Sequence, residues 1–90
     1  MSDSRIERMR RRLEHALAPE LLDIQDESAQ HVGHAGARDG RGHFACTVVS
    51  AAFEGKSPLE RHRIVYDALG DLMLTDIHAL TIRAYTPGQL

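Results

Sequence analysis

The sequence predicts an α+β domain in which a three-stranded mixed sheet carries its helices on one face. Two stretches repeat apolar residues at helical spacing and three shorter ones alternate them at strand spacing, in the order α-β-β-α-β. The first two strands should pair antiparallel, and a right-handed helical crossover should place the third strand parallel to the second. With so few strands, the helices must share one face to form a core, which leaves the other face partly exposed to a partner.

Length and composition indicate one domain over residues 1–90, with an ordered core at about 4–86. Ninety residues are too few for two cores, and 42% hydrophobic with 27% charged residues is ordinary for a soluble globular protein. No stretch approaches the roughly 20 apolar residues of a membrane span, and the N-terminus lacks an apolar signal core. We therefore expect a cytoplasmic protein with no membrane partner.

The first helix is predicted over residues 4–18. Ser4 and Glu7 can form a capping box at its start, and Pro19 ends it. A face away from the apolar stripe is either solvated or in contact with phosphate groups. The residues of that face are Arg5, Arg8 and Arg12, with Arg10 and Arg11 beside them.

Two strands are predicted next, over residues 20–27 and 43–50. The second is apolar or small on both faces, as is typical of a central strand, and it holds the single cysteine, Cys46, as a buried small hydrophobe. The glycine-rich segment between the strands exceeds the usual hairpin length, which favours a functional loop. That segment contains His31 and His34.

The second helix, over residues 58–74, has the clearest start. Ser57 is its N-cap, Pro58 occupies the first position, and Glu60 closes a capping box. Gly70 predicts a break into two short helices. The last strand follows over residues 76–85, where alternation places His78 on one face with three apolar residues, Leu80, Ile82 and Ala84.

Composition narrows the classes of function. Six histidines accompany one cysteine, so any transition metal bound by this chain would have to use histidine. A net charge of −2 provides no global basic field for nucleic acid. The sequence has no Ser-His-Asp or Cys-His constellation and no phosphate-binding loop, so we expect a protein that is not an enzyme.

Short motifs along the chain, from about Arg5 to Pro87, resemble the signature of BolA-like proteins in order and spacing. They are Asp26-Glu-Ser28, His43-Phe44, Val49-Ser50, Phe53-x-Gly55, Arg61-His-Arg63, Tyr66 and Ile77-His-Ala-Leu80. The Arg-His-Arg helix followed by the Ile-His-Ala-Leu strand is the most specific pair. The resemblance implies a type II KH-like fold with a split second helical region, which agrees with the element order predicted from the residues.

The resemblance implies an adaptor that binds a monothiol glutaredoxin and shares a [2Fe–2S] cluster with it, in iron–sulfur assembly or iron sensing. The partner's cysteine and glutathione would ligate one iron, and this chain the other. The family's strand ligand corresponds to His78 and its loop ligand to His31, with His34 as the alternative in the same loop. Because imidazole must be neutral to ligate, the cluster should be lost as the pH falls through about 6.

The resemblance also implies an alternative, a DNA-binding transcriptional regulator of stress response and cell morphology. The surface for a protein partner or nucleic acid would be formed by Arg61, His62 and Arg63, and DNA binding would be largely electrostatic. A KH module should have its Gly-x-x-Gly loop between its helices, whereas the string at residues 33–36 lies between the first two strands. A weak homodimer is a further expectation.

The remaining histidines are given lesser roles. His62 is a reserve metal ligand, whereas His15 and His43 are expected to be surface or structural residues.

Overall fold

The computed structural model describes residues 4–27 and 42–89. Within these ranges the elements follow the predicted α-β-β-α-β order, with the second helical region divided in two. They are α1 (Arg5–Leu17), β1 (Leu21–Asp26), β2 (Gly42–Val49), α2 (Pro58–Leu69), α3 (Leu72–Thr75) and β3 (Ile77–Tyr85), with short 3₁₀ turns at Ala51–Phe53 and Pro87–Gln89. No helix in the described part of the chain has the length and apolar character needed to cross a bilayer.

The three strands form one mixed sheet with β2 in the centre. β1 pairs antiparallel with β2, and β3 pairs parallel with β2, as expected when a helical crossover joins the last two strands. Alternate residues of β2 belong to one hydrophobic core together with residues of both long helices. This confirms that the helices pack on one face of the sheet. Buried members of this core include Phe44, Cys46 and Val48 of β2, Met9 and Leu13 of α1, and Val65 and Leu69 of α2.

Side-chain caps begin both long helices at the predicted residues. The Ser4 hydroxyl accepts a hydrogen bond from the Glu7 amide at 3.1 Å. At the start of α2, the Glu60 amide donates to the Ser57 hydroxyl at 3.1 Å, and the Ser57 amide donates to the Glu60 carboxylate at 2.8 Å. This reciprocal box satisfies two amides at the helix end, and its hydrogen bonds hold the pKa of Glu60 below its ordinary value.

The second helical region breaks at Gly70, as predicted. Gly70 follows the last residue of α2 with a φ of 55° and a ψ of −127°, a conformation that residues with a Cβ rarely adopt. Arg12 of α1 donates to the carbonyl of Leu69 at 3.0 Å, which places a cation at the negative end of the α2 dipole. The same guanidinium forms an ion pair with Asp71 at 2.9 Å. The break is therefore held in place by α1.

Much of the arginine face of α1 serves the fold itself. Besides Arg12, Arg8 bonds the Asp76 carboxylate through Nε and Nη2, at 3.1 and 2.6 Å, and Arg10 approaches the carbonyl of Leu22 at 3.4 Å. From the sequence we considered only two roles for this face, exposure to solvent or contact with phosphate, and did not consider bonds to other elements of the fold. Spacing along a helix does not reveal partners that lie far away in the sequence.

Candidate metal-binding site

The third strand begins with an irregularity in its pairing with β2. Gly42 pairs with Ile77, but the next residue of β2, His43, pairs with Ala79, so that His78 is an extra residue in the ladder. An inserted residue of this kind bends a strand and re-aims a side chain, and such bulges are common next to functional sites.

This irregularity corrects the predicted face of His78. Ile77 is fully buried and Leu80 packs against the core, so two consecutive exposed residues, His78 and Ala79, lie between two core-facing ones. The prediction that His78 shares a face with Leu80, Ile82 and Ala84 was wrong, because period-two alternation does not continue through an inserted residue. His78 is instead exposed.

A second histidine lies beside His78. The ring centroids of His43 and His78 are 5.1 Å apart, and their planes are tilted by 45°. His43 is half-buried and immediately precedes the core residue Phe44. Sequence reasoning treated His43 as a surface or structural residue and missed this proximity, because it depends on the register of β2 against β3. The His43-Phe44 motif was the available signal.

Backbone hydrogen bonds join three strands at this end of the sheet. The amide of Glu27, after β1, donates to the carbonyl of His43 at 2.7 Å, and the amide of Gly42 donates to the carbonyl of Asp76 at 2.9 Å. The chain therefore leaves β1 and re-enters β2 at the end of the sheet where β3 begins. His31 and His34 belong to the intervening stretch and lie outside the described residues.

Arg8 fixes the residue that leads into β3. The Asp76 side chain is 14% exposed and the Arg8 side chain 36% exposed, so water screens the ion pair only in part. The hydrogen bond from Arg8 is the main reason why the pKa of Asp76 lies below its ordinary value, although burial opposes it. Asp76 is two residues before His78, so this ion pair stabilises the backbone that leads to the candidate ligand.

Cys46 is the one described thiol and lies in the core of β2, as predicted. Burial raises the pKa of its thiol to about 11, because a thiolate would lose its hydration there. A neutral thiol is a poor ligand. Among residues 4–27 and 42–89, no group of three or more His, Cys, Asp or Glu side chains could hold a metal ion.

The predicted partner surface lies on α2, far from His78 along β3. Arg61 donates to the carbonyls of Lys56 at 3.0 Å and Ala84 at 3.1 Å, and to the Gln89 side chain at 2.8 Å. Because Ala84 is near the other end of β3, about 20 Å of strand separates it from His78. Arg61 therefore joins α2 to the end of β3.

Accessibility differs within the predicted surface. Arg61 and His62 are half-buried, whereas Arg63 is exposed. Two large apolar side chains on the same helix, Leu59 and Tyr66, are exposed by 61% and 40%. Residues 59, 63 and 66 recur at helical spacing and so lie on one face of α2. This face combines apolar and cationic groups, and its role as a binding surface stays a prediction.

A cleft of about 410 Å³ opens between α1 and α2. Its charged lining is mostly cationic and comes from α1, whereas α2 contributes one carboxylate. The lining residues are Arg8, Arg11, Arg12, His15 and Ala16 of α1, and Asp67 and Ala68 of α2.

Comparison with known proteins decides the family. The profile of the BolA-like protein family matches residues 13–89. This chain is a BolA-like protein. Among solved structures, the BolA domain of SufE1 from Arabidopsis thaliana has a TM-score of 0.86 and 42% identity, with complete coverage of both chains. The resemblance in the motifs is therefore confirmed over most of the sequence.

Curated relatives extend the comparison. BolA-like protein 1 of Mus musculus is 47% identical over 81 residues, which are 90% of this chain and 57% of the relative. SufE-like protein 1 of Arabidopsis thaliana is 46% identical over 92 residues, covering 97% of this chain but only 25% of the relative. This BolA-like chain thus spans between a quarter and somewhat over half of these relatives. The DNA-binding transcriptional regulator BolA of Escherichia coli is 38% identical over 80 residues, 89% of this chain and 73% of the relative.

The predicted site residues of this BolA-like protein fall in separate places. His78 lies at the start of β3 beside His43, which sequence reasoning had not selected. Arg61, His62 and Arg63 lie on α2, where Arg61 contacts the opposite end of β3. The described residues therefore assemble one pair of imidazoles at one end of the sheet.

Proposed function

We propose that this BolA-like protein is a non-enzymatic cytoplasmic adaptor that binds a monothiol glutaredoxin and co-ligates a [2Fe–2S] cluster in iron–sulfur assembly or iron sensing. The observation that carries the proposal is the exposed imidazole of His78, which an irregularity in β3 turns away from the core. A ligand on a strand is held more rigidly than one on a loop, and an exposed position lets a second protein reach the other iron of the same cluster.

The donor chemistry fits a cluster that is ligated by thiolate on one iron and by imidazole on the other. Paired histidines replace paired cysteines on one iron of Rieske-type [2Fe–2S] centres, and they raise the reduction potential relative to all-thiolate ligation. In the proposal, the partner's cysteine and glutathione supply the thiolates. His78 supplies one imidazole, and Cys46 takes no part because its thiol is buried and neutral.

The second imidazole is proposed to come from His31, with His34 as the alternative. His31 is four residues after Glu27, whose amide bonds the carbonyl of His43 at 2.7 Å. In the sequence His31 follows the Glu27-Ser28 pair, as the family's loop ligand does. His34 comes three residues later.

The partner is proposed to contact the exposed face of α2 in addition to the end of the sheet. Leu59 and Tyr66 offer apolar surface there and Arg63 offers a charge. Exposed apolar groups beside a cation are suited to a protein interface, where aromatic side chains and arginine are enriched. Arg61 supports this face from within the fold through its bonds to β3.

The decisive experiment is co-expression with a monothiol glutaredoxin, followed by co-purification and an absorption spectrum of the complex. We expect a visible spectrum that differs from that of the glutaredoxin alone and that changes with His78→Ala. His15→Ala is the matched control, because it removes another exposed histidine, on α1. A heterocomplex whose spectrum is the same with and without His78 would exclude His78 as a ligand.

The loop position is tested by comparing His31→Ala with His34→Ala in the same complex. Only the variant that removes the ligand should alter the spectrum and shorten cluster retention. Equal behaviour of both variants and the unmodified protein would remove the loop from the ligand set.

A second candidate function is DNA binding as a transcriptional regulator of stress response and cell morphology. The cleft lined by arginines of α1 is the observation that favours it, and the Escherichia coli relative bears the name of a DNA-binding regulator. Two of the arginines already form ion pairs with Asp71 and Asp76, so binding should be weak and steeply dependent on salt.

Retardation of a labelled duplex over a salt series tests the second function. Arg11→Ala should weaken binding and reduce its salt dependence, whereas His78→Ala should change neither. Absence of a retarded species at low ionic strength would remove this candidate.

A further inference from the structure

We propose that this protein forms a weak homodimer through the outer edge of β3, which pairs antiparallel with the same edge of a second copy. Thr81 lies on the two-fold axis of this pairing. Three properties of β3 carry the proposal: peptide groups that point away from the sheet, apolar side chains that are only half-buried, and a residue order that is complementary to itself. The pairing concerns the protein without a glutaredoxin and goes beyond the proposed function.

β3 is an edge strand, and the peptide groups in its middle are open on the outer side. The carbonyl of Tyr85 accepts from the amide of Ser50, so the peptide groups of Tyr85 face β2. Because this direction alternates along a strand, the peptide groups of Leu80 and Ile82 point away from β2. Within residues 4–27 and 42–89, no hydrogen bond from outside the sheet reaches these groups. Such an edge is a template for another strand.

Arg61 protects one end of this edge. It donates to the outward carbonyl of Ala84 at 3.1 Å. Charged side chains also discourage pairing at an edge, but Arg83 is the one Asp, Glu, Lys or Arg residue among the nine of β3. β1, the other edge strand, has two exposed carboxylates among six residues, Asp23 and Asp26. β3 is therefore the edge that is better suited to a further strand.

The apolar side chains of this edge are incompletely covered. Leu80 and Ile82 pack against the hydrophobic core but stay half-buried. Their neighbours on the central strand, Phe44 and Cys46, are buried. A fourth strand beside β3 would cover the outer flanks of Leu80 and Ile82, and apolar pairs between adjacent strands stabilise a sheet.

The residue order of β3 suits a second copy as the occupant. With Thr81 opposite Thr81 of the second copy, Leu80 stands opposite Ile82, and each such pair exchanges two backbone hydrogen bonds. Arg83 then stands opposite Ala79, which separates the two Arg83 side chains by about 14 Å along the strands. A pairing centred on Arg83 would instead place like charges directly opposite each other, which destabilises a sheet.

The neighbouring registers are less favourable than the one centred on Thr81. Centring the pairing on Ile82 would bring Leu80 opposite Ala84, whose carbonyl already accepts a hydrogen bond from Arg61. Centring it on Leu80 would bring Ile82 opposite residue 78, the extra residue of the irregular pairing with β2. The register centred on Thr81 uses only the open peptide groups.

Size and symmetry define the expected assembly. The same edge serves both copies, so the interface closes on itself and association stops at the dimer. A strand of nine residues is far smaller than the roughly 20–30 residues that each partner contributes to a standard interface. The dimer should therefore be weak and should form in proportion to protein concentration.

The first test places charges on the two-fold axis. Thr81 is exposed, so substitutions there should not unfold the protein. Sedimentation over a concentration series should show a growing dimer fraction for wild type and a monomer for Thr81→Lys and for Thr81→Glu alone. An equimolar mixture of the two variants should dimerise again, because opposite charges then face each other. Gln25→Lys, an exposed change on β1, is the control and should behave like wild type.

Two results would overturn the proposal in this test. One is a wild-type protein that stays monomeric up to its solubility limit. The other is a mixture of Thr81→Lys and Thr81→Glu that associates no more than either variant alone.

The second test locates the interface by amide hydrogen exchange of the wild-type protein. The amides of Leu80 and Ile82 should become protected as the protein concentration rises, because each gains a hydrogen bond in the dimer. The amide of Glu27 bonds β2, so by alternation the amide of Ile24 points outward from β1 and is the control. Its exchange should not change with concentration.

Two results would contradict the proposal here as well. Protection of Ile24 together with Leu80 would indicate an open pairing of β1 with β3. A dimer without added protection at Leu80 and Ile82 would place the interface elsewhere. Both tests use the free protein, so a glutaredoxin that failed to bind would count against the proposed function and leave these results unaffected.

Discussion

Arg8 and Asp76 form an ion pair that joins α1 to the start of the third strand. Nη2 of Arg8 is 2.6 Å from the Asp76 carboxylate, and its Nε donates to the same oxygen at 3.1 Å. Because Asp76 also accepts the backbone hydrogen bond of Gly42 at 2.9 Å, one residue connects a helix, the central strand and the edge strand. The stability of the site beside His78 should therefore depend on this residue.

Asp76→Asn should lower the free energy of unfolding by about 1–2 kcal/mol at pH 7. The loss should be smaller than that for a fully buried ion pair, because the Arg8 side chain is partly hydrated. The pKa of Asp76 is lowered in the folded protein, chiefly by Arg8. Its contribution is therefore complete above the unfolded pKa of about 3.9, and it is lost as the pH falls through the lower folded pKa.

Urea unfolding of wild type and Asp76→Asn over a pH series measures this contribution. The difference between them should be constant at neutral pH and should shrink in acid. Asp23→Asn, an exposed change on β1, is the control and should show little difference. A gap between wild type and Asp76→Asn that persists at the lowest pH would contradict the ion-pair account.

Gly70→Ala should destabilise the protein by about 1–3 kcal/mol, since it forces a Cβ into a backbone conformation that alanine rarely adopts. A Cβ at residue 70 would also lie 3.2 Å from Nη1 of Arg12, whereas one at Gly55, φ 72°, would meet nothing within 4 Å. Gly55→Ala is therefore the control for positive φ alone. Thermal unfolding of both variants compares them, and equal losses would mean that the contact with Arg12 is unimportant.

Local and non-local features differed in how far the sequence could predict them. The Ser57–Glu60 box and the break at Gly70 depend on residues within a few positions of each other, so spacing was enough. The position of His78 depends on an extra residue in the pairing of two strands, and no periodicity marks such an insertion. The contact with His43 needed the register, which single-sequence patterns do not contain.

Ser50 should be sensitive to loss of its hydroxyl. The side chain is fully buried, donates to the carbonyl of Leu17 at 2.7 Å, and accepts from the amide of Ala52 at 3.1 Å. Ser50→Ala leaves the carbonyl at the end of α1 without this donor, which should cost about 1–3 kcal/mol. Ser57→Ala, which removes an exposed cap, should cost about 1 kcal/mol. Denaturant unfolding that ranks the two variants in the opposite order would refute this assignment.

Arg61 and Arg63 should separate stability from binding. Arg61→Ala removes hydrogen bonds to Lys56, Ala84 and Gln89, and each such bond contributes about 0.5–1.5 kcal/mol, so the melting temperature should fall. Arg63→Ala changes an exposed residue and should leave the melting temperature nearly unchanged while weakening the binding of a partner at α2. Calorimetry and glutaredoxin titration on both variants test this division, and equal melting temperatures would argue against the structural role of Arg61.

Cys46 should be inert in the folded protein and dispensable for the cluster. Burial in β2 raises the pKa of its thiol to about 11, so little thiolate exists at pH 8, and the surrounding core excludes reagents. Alkylation by iodoacetamide should therefore follow the unfolding equilibrium and accelerate with denaturant in parallel with the loss of structure. Cys46→Ala should lower stability, since it removes a buried sulfur from the core, but its complex with a glutaredoxin should keep the wild-type visible spectrum. Rapid alkylation without denaturant would show that the thiol is accessible, and loss of the spectrum in a folded Cys46→Ala complex would make Cys46 a ligand.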